Sequence, residues 1–265
     1  MKTLSLTTLA GTLLVSGTAS AQAVDATSLG GSVSLRAFVN RASGIGFGEI
    51  SADLPGAPAS INSDTTTSAL PSLSLRYGRL SLNGSYHLST NYRGTAPEEG
   101  GLPVVFRRKE WDLSAGYSPL PNIVLSAGWK QVHVDSPDAE LGVYPMRLAG
   151  PFVGAGMSAS LAPDWSVYGS VSLGRSKLKL AGAQQGRSGD YMASEFGVRY
   201  ALQAWLPSLS GAGLLFGYRT QVYRYRDVPF LLFDTDVDGN GSIRPATRTV
   251  RQGVDGLTLG IAYSF

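Results

Sequence analysis

From residue 32 to the C-terminus, apolar and polar side chains alternate with a period of two. Residues 32–39 put Val33, Leu35, Ala37 and Val39 on one face. The same alternation runs through 73–77, 80–88, 111–117, 123–129, 153–161, 165–173, 196–200, 214–222 and 257–265. Successive side chains of a strand point to opposite faces, whereas a helix would scatter these apolar residues around its cylinder. The pattern predicts an all-β chain of roughly ten antiparallel strands.

The connections alternate in length. Tyr77-Gly78-Arg79, Ser118-Pro119-Leu120-Pro121 and Ala162-Pro163-Asp164 have the residues of tight reversals. Between them the polar stretches 41–69, 89–108, 133–148, 174–189 and 224–250 are expected as long loops. Short turns at one rim and long loops at the other are the plan of a transmembrane barrel, with both termini on the short-turn side. A soluble sandwich also alternates, and the aromatics separate the two. Trp111 and Trp129 fall at one end of their strands; Tyr117, Trp165, Tyr200, Tyr263 and Phe265 fall at the other. Two girdles flanking an aliphatic band match the two water–lipid interfaces. The expected fold is therefore a transmembrane antiparallel up-and-down β-barrel. An open sheet edge is not tolerated in hydrocarbon, so the strand around Val33 should pair with the strand ending at Phe265.

Composition agrees without deciding. The chain has 265 residues, 33 of them Gly, no Cys, 15% charged residues and a net charge of +3. Mean hydropathy is +0.03, the dilution expected when lipid-facing and inward residues alternate. The charge gives no case for nucleic-acid binding. Met1-Lys2, an apolar stretch from Leu4 to Val15, and the small-residue motifs Ala19-Ser20-Ala21 and Ala21-Gln22-Ala23 predict a cleaved secretory signal over 1–23. A single barrel domain over 24–265 should follow. The apolar stretch is short of the ~20 residues a helical span needs.

The final segment, Gly256-Leu257-Thr258-Leu259-Gly260-Ile261-Ala262-Tyr263-Ser264-Phe265, resembles the C-terminal assembly signal of bacterial outer-membrane β-barrels. That signal is a closing strand that ends in Phe, with an aromatic two positions earlier. The resemblance implies Tyr263 and Phe265 as the assembly signal, recognition by the barrel-assembly machinery, residence in the outer membrane, and lipids and lipopolysaccharide as surroundings. It leaves any soluble partner unknown.

The residues expected to face the lumen are Arg36, Arg76, Arg79, His87, Glu110, Asp112, Lys130, Glu195, Arg199, Arg219 and Asp255. Both signs are present, which favours ion pairs across a narrow interior over a lining of one charge. This points to a narrow porin-like channel or to a surface-exposed structural or binding protein.

Candidate chemistry is sparse, and no cofactor motif stands out. Asp234, Asp236, Asp238 and Asn240 lie in an Asp/Asn/Gly-rich stretch that, read from Asp236, is similar to the start of an EF-hand loop. Thr247 occupies the position of the bidentate twelfth ligand. The ligand for such a loop would be a hard cation such as Ca²⁺; the same composition also makes an ordinary surface turn. The two histidines give a barrel-rim hydrolase as the alternative reading. His133-Val134-Asp135, with Asp236 and Asp238 opposite, loosely resembles the omptin proteases, although the order of His and Asp is inverted. His87-Leu88-Ser89 resembles the His-x-Ser of the lipid A deacylases, without a convincing acidic third member.

Overall fold

The computed structural model describes residues 29–44, 62–95, 103–135, 145–180, 186–235 and 241–265. The predicted signal segment and the residues Asp236, Asp238 and Asn240 lie outside these. The chain runs β1 (Leu29–Ser43), β2 (Asn62–Ser63), β3 (Thr66–Tyr77), β4 (Leu80–Thr95), β5 (Pro103–Leu120), β6 (Ile123–Asp135), β7 (Met146–Ala162), β8 (Trp165–Leu180), β9 (Arg187–Ala201), β10 (Ala212–Thr235) and β11 (Gly241–Ser264). The two residues of β2 pair only with β4, beyond the end of β3, so β2 and β3 serve as one stave. Around the barrel the order is β4-β3-β1-β11-β10-β9-β8-β7-β6-β5, and β5 returns to β4. The result is a closed antiparallel barrel of ten staves. The closing pair is β1 with β11, Val33 opposite Tyr263. Gly31 and Phe265 exchange backbone hydrogen bonds of 2.8 and 2.9 Å at the end of that seam.

Tight turns and both ends of the described barrel share one rim. They are Gly78–Arg79, with Gly78 at φ 56°, Pro121–Asn122 and Pro163–Asp164. The β5–β6 turn thus lies at the end of the expected 118–121 segment, because β5 stays extended to Leu120. Only β9 and β10 are joined differently, through two 3₁₀ turns at Leu202–Ala204 and Pro207–Leu209.

At the opposite rim the expected loops 89–108, 174–189 and 224–250 are largely strand, and strand also enters both ends of 41–69 and 133–148. β4 and β5 pair out to Thr95 and Pro103, β6 and β7 to Val134 and Met146, and β10 and β11 to Thr235 and Gly241. β10 and β11 have 24 residues each, more than twice the ~9–11 that cross a bilayer.

The reason lies in a change of phase. In the lower part of β6, Leu125 and Trp129 face outward and are about half exposed. Beyond Trp129 the apolar residues move to the other parity: Val132 and Val134 point inward and are buried. β5 inverts in the same way between Leu113 and Phe106, β8 between Leu173 and Leu178, and β10 between Phe216 and Tyr223. Within lipid the apolar face must point out; beyond it, in water, the apolar face must point in. The upper staves therefore enclose a core of the ordinary soluble kind. Phe38, Leu70, Tyr92, Val104, Phe106, Val132, Val134, Met146, Leu148, Leu178, Tyr223 and Tyr225 meet there as one buried cluster. The Tyr92 and Phe106 rings stack at 5.1 Å.

Candidate functional site

Below this core, at mid-barrel, a layer of charged side chains crosses the lumen. Glu110 on β5 is its centre. One carboxylate oxygen accepts from Arg108 on the same strand at 2.8 Å; the other lies 3.1 Å from Lys130 Nζ on β6 and 3.4 Å from the Arg219 guanidinium on β10. β10 and β5 are five steps apart around ten staves, so Arg219–Glu110 spans the full diameter. Gln221, two residues beyond Arg219 and therefore on the same inward row, donates to Glu110 at 2.8 Å and accepts from Arg108 at 3.1 Å. Arg219 also reaches Glu195 on β9 at 3.5 Å, and Glu195 pairs with Arg36 on β1. Lys130 completes the chain toward Asp112 at 3.4 Å.

Aromatic rings close the gaps. Arg108 sits over the Tyr223 ring at 5.9 Å, and Lys130 over the Tyr191 ring at 5.7 Å. Cations held against aromatic faces in a desolvated interior are favourably placed. Tyr168 on β8 lies flat against the inner wall because the facing residues are glycines. A Cβ on Gly197 or Gly217 would come within 2.7 or 2.9 Å of its hydroxyl. The phenol reaches Glu195 at 3.4 Å. His87 on β4 is buried and meets Phe38 edge-on at 6.1 Å, and its Nε2 has no partner among the described residues.

The layer divides the interior. Above it is the apolar core. Below it, toward the short-turn rim, lies a chamber of about 110 Å³ whose wall is rich in serine, with Ser34, Ser72, Ser74, Ser114 and Ser172 among its hydroxyls, and whose roof is Arg36, Glu195 and Arg219.

Most of the expected lumen residues are here: Arg36, His87, Glu110, Lys130, Glu195 and Arg219 are all buried, and Asp112 faces the chamber. Arg76 and Arg199 are tied to the lower rim, donating to the Gly78 and Gly211 carbonyls at 2.9 and 3.0 Å. Two placements differ. Arg79 is exposed in the β3–β4 turn, since a two-residue reversal leaves its side chain no inward position. Asp255 shares the outward row of Leu257 and Leu259, while its neighbour Val254 is buried inside; it accepts from the Tyr218 hydroxyl at 2.8 Å. It stands past the phase inversion, where an outward carboxylate is in water. Arg108, Gln221 and the tyrosines were not among the expected residues. Parity with Glu110 and Arg219 is the signal that finds the first two.

The hydrolase constellations do not assemble among the described residues. His133 alternates with the inward Val132 and Val134 and so points away from the lumen. Ser89 is exposed, in an irregularity of the β4–β5 ladder between His87 and Thr90, while His87 is buried inside. Groups of three or more metal-ligating side chains are absent among the described residues; the Asp236, Asp238 and Asn240 of the acidic stretch are outside them.

A closed antiparallel barrel with an outward apolar belt, aromatic borders and an ionic interior is the fold of the bacterial outer-membrane β-barrels. The outer membrane protease OmpT of Escherichia coli matches over 93% of this chain and 100% of its own, with TM-score 0.51 and 11% identity. A FadL homologue of Pseudomonas aeruginosa matches with TM-score 0.35 and 15% identity, over 91% of this chain and 65% of its own. The toluene transporter TodX of Pseudomonas putida matches with TM-score 0.33 and 8% identity, over 89% of each chain. Likeness at these identities speaks for the fold alone. No family model matches the sequence, and no curated protein is significantly similar to it.

Proposed function

We propose that the protein is a closed outer-membrane barrel whose work is done on its outside, as a surface-exposed structural or binding protein. The observation that carries this reading is the Arg219–Glu110 contact across the full diameter, backed by the buried core above it. A hydrated ion would have to break several charge-assisted bonds and then cross an apolar, packed region. The upper core also gives the hairpins beyond the membrane a rigid support, which suits display of their tips. Export through the 1–23 signal, assembly through Tyr263 and Phe265, and a surround of lipid and lipopolysaccharide belong to the same proposal.

The narrow-channel reading is favoured by one observation, the serine-walled chamber that opens below the layer. Planar-bilayer recording of the purified full-length barrel separates the two. The expected result is no steady conductance at neutral pH. A stable open level in the wild-type protein overturns the closed-barrel reading in favour of the channel.

A further inference from the structure

Just beyond the aromatic border, on the outer surface of the wall, four basic side chains stand in direct cross-strand succession. Lys179 on β8 is opposite Arg147 on β7, Arg147 is opposite His133 on β6, and His133 is opposite Lys109 on β5. Their chain neighbours Leu178, Met146, Leu148, Val132, Val134, Arg108 and Glu110 are buried inside, so all four point outward. Their level is set by Trp129 and Trp111, which lie four residues before His133 and two after Lys109 on the same outward rows.

Like charges directly opposite each other on neighbouring strands are destabilising. Here Arg147 and Lys179 are directly opposed cations, and Lys109 stands one stave further on, across the His133 imidazole; where any polar residue would satisfy water, three cations gathered in this way hold a site of unspent positive potential. The six ion pairs among the described residues all lie inside the barrel, and none engages this row. Arg147 is held in place by donating to Gln131 Oε1 at 2.5 Å, on the next outward position of β6. Burial and then the cations Arg147 and Lys109 lower the pKa of His133, as expected of an imidazole placed between two positive groups.

Other outward cations on the same surface are arranged differently. Arg41 faces Asp255, Arg107 faces Asp135, and Arg93 faces Val105; Arg224 faces Arg251 on one side but Asp190 on the other, and Asp190 also faces Arg175. The β5–β8 row is therefore set apart by its uncompensated pairing and not by the presence of basic residues.

We propose that the Lys109–His133–Arg147–Lys179 row binds the phosphate groups of a glycolipid headgroup, docked on the outside of the barrel wall. Charge complementarity selects a phosphate, for which Arg and Lys offer directed, charge-assisted donors. The position selects a lipid. Immediately below the row the wall is an apolar belt, with Leu113, Leu125, Val153 and Leu173 about half exposed or more. Acyl chains of the same molecule would lie along that belt while its phosphates meet the row. This inference is independent of whether the lumen conducts.

The test is native mass spectrometry of the full-length barrel in neutral detergent, titrated with bis-phosphorylated lipid A. Dephosphorylated lipid A and inorganic phosphate at equal concentration are the parallel arms. The expected result is retained adducts with the phosphorylated lipid only. Lys109→Gln/Arg147→Gln/Lys179→Gln should weaken adduct formation by about tenfold or more, the loss of several charge-assisted contacts. The control Arg41→Gln/Arg93→Gln/Arg107→Gln removes the same charge from the same surface and should keep affinity within about twofold, one-third of a tenfold step in free energy. Folding of both is checked by heat-modifiable mobility. Without lipid, the first variant should unfold no earlier than wild type, because it relieves repulsion. Equal loss in both variants would show a general charge effect and overturn the site. Equal binding of the dephosphorylated lipid would overturn the phosphate assignment, and binding of inorganic phosphate alone would overturn the lipid.

Discussion

Glu110 shows how much one side chain can hold. Its two oxygens serve Arg108, Lys130 and Arg219, while Gln221 fills a remaining position. Removing one partner of a buried ionic group costs more than the pair contributes, because the remaining charges stay desolvated and unmatched. Glu110→Gln leaves Arg108 and Lys130 without their principal counter-charge and should destabilise the barrel by about 3–5 kcal/mol, measured by unfolding in lipid vesicles. The same variant should admit transient ion flux through the lumen; unaltered stability would mean that the layer is solvated and weak. On the neighbouring wall the two faces of β5 can be told apart directly. Leu113 is half exposed on the lipid side and Ser114 lines the chamber. Leu113→Arg should cost about 2–4 kcal/mol if the position lies near the midplane, and Ser114→Arg clearly less. Equal damage from both would show that the register is wrong.

Each long stave is two strands in one, joined where the hydrophobic phase inverts. The lower segment is built for lipid and the upper for water, so a given substitution should change sign with height. Leu148 faces the upper core and Arg147 faces out. Leu148→Arg should loosen the β6–β7 hairpin and open it to limited proteolysis, with a stability loss of roughly 2–5 kcal/mol from the emptied, charged core position. Arg147→Leu should leave proteolysis unchanged. The reverse order of sensitivity would place the upper segments in lipid and remove the basis for the inversion.

For the whole molecule, closure is the decisive event. β11 pairs with β1 at twelve residue positions from Ser32↔Ser264 to Ser43↔Gly253, and Phe265 extends the seam with its two backbone bonds to Gly31. The Tyr263 and Phe265 rings stand 6.4 Å apart on the outer surface. Deleting Phe265 removes both the last seam contact and the terminal ring. Assembled, heat-modifiable barrel in outer-membrane fractions should fall severalfold, whereas a conservative change at Arg79 in the exposed turn should leave it intact. Equal yields from the two would separate assembly from the terminal aromatic.

The chain's own pattern determined the class of fold, its approximate number of staves, the lipid face and most of the charged lumen. Period-two alternation is a local property, and Leu113, Leu125 and Leu259 face outward because each strand's geometry alone puts them there. What only the tertiary structure decided was how far each strand continues and which inward residues meet. The upper segments looked like loops because they alternate apolar residues with Arg, Lys and His at the opposite parity. Pairing across the lumen turned Val132, Val134, Met146 and Leu148 into a core. Arg219 and Glu110 are 109 residues apart in sequence, and nothing local says that they touch; that follows from ten staves bending until β10 faces β5. Asp255 makes the same point in the other direction. A carboxylate on an outward row is excluded in lipid and harmless in water, and its height above the belt is fixed by the assembled barrel, not by its neighbours in the chain.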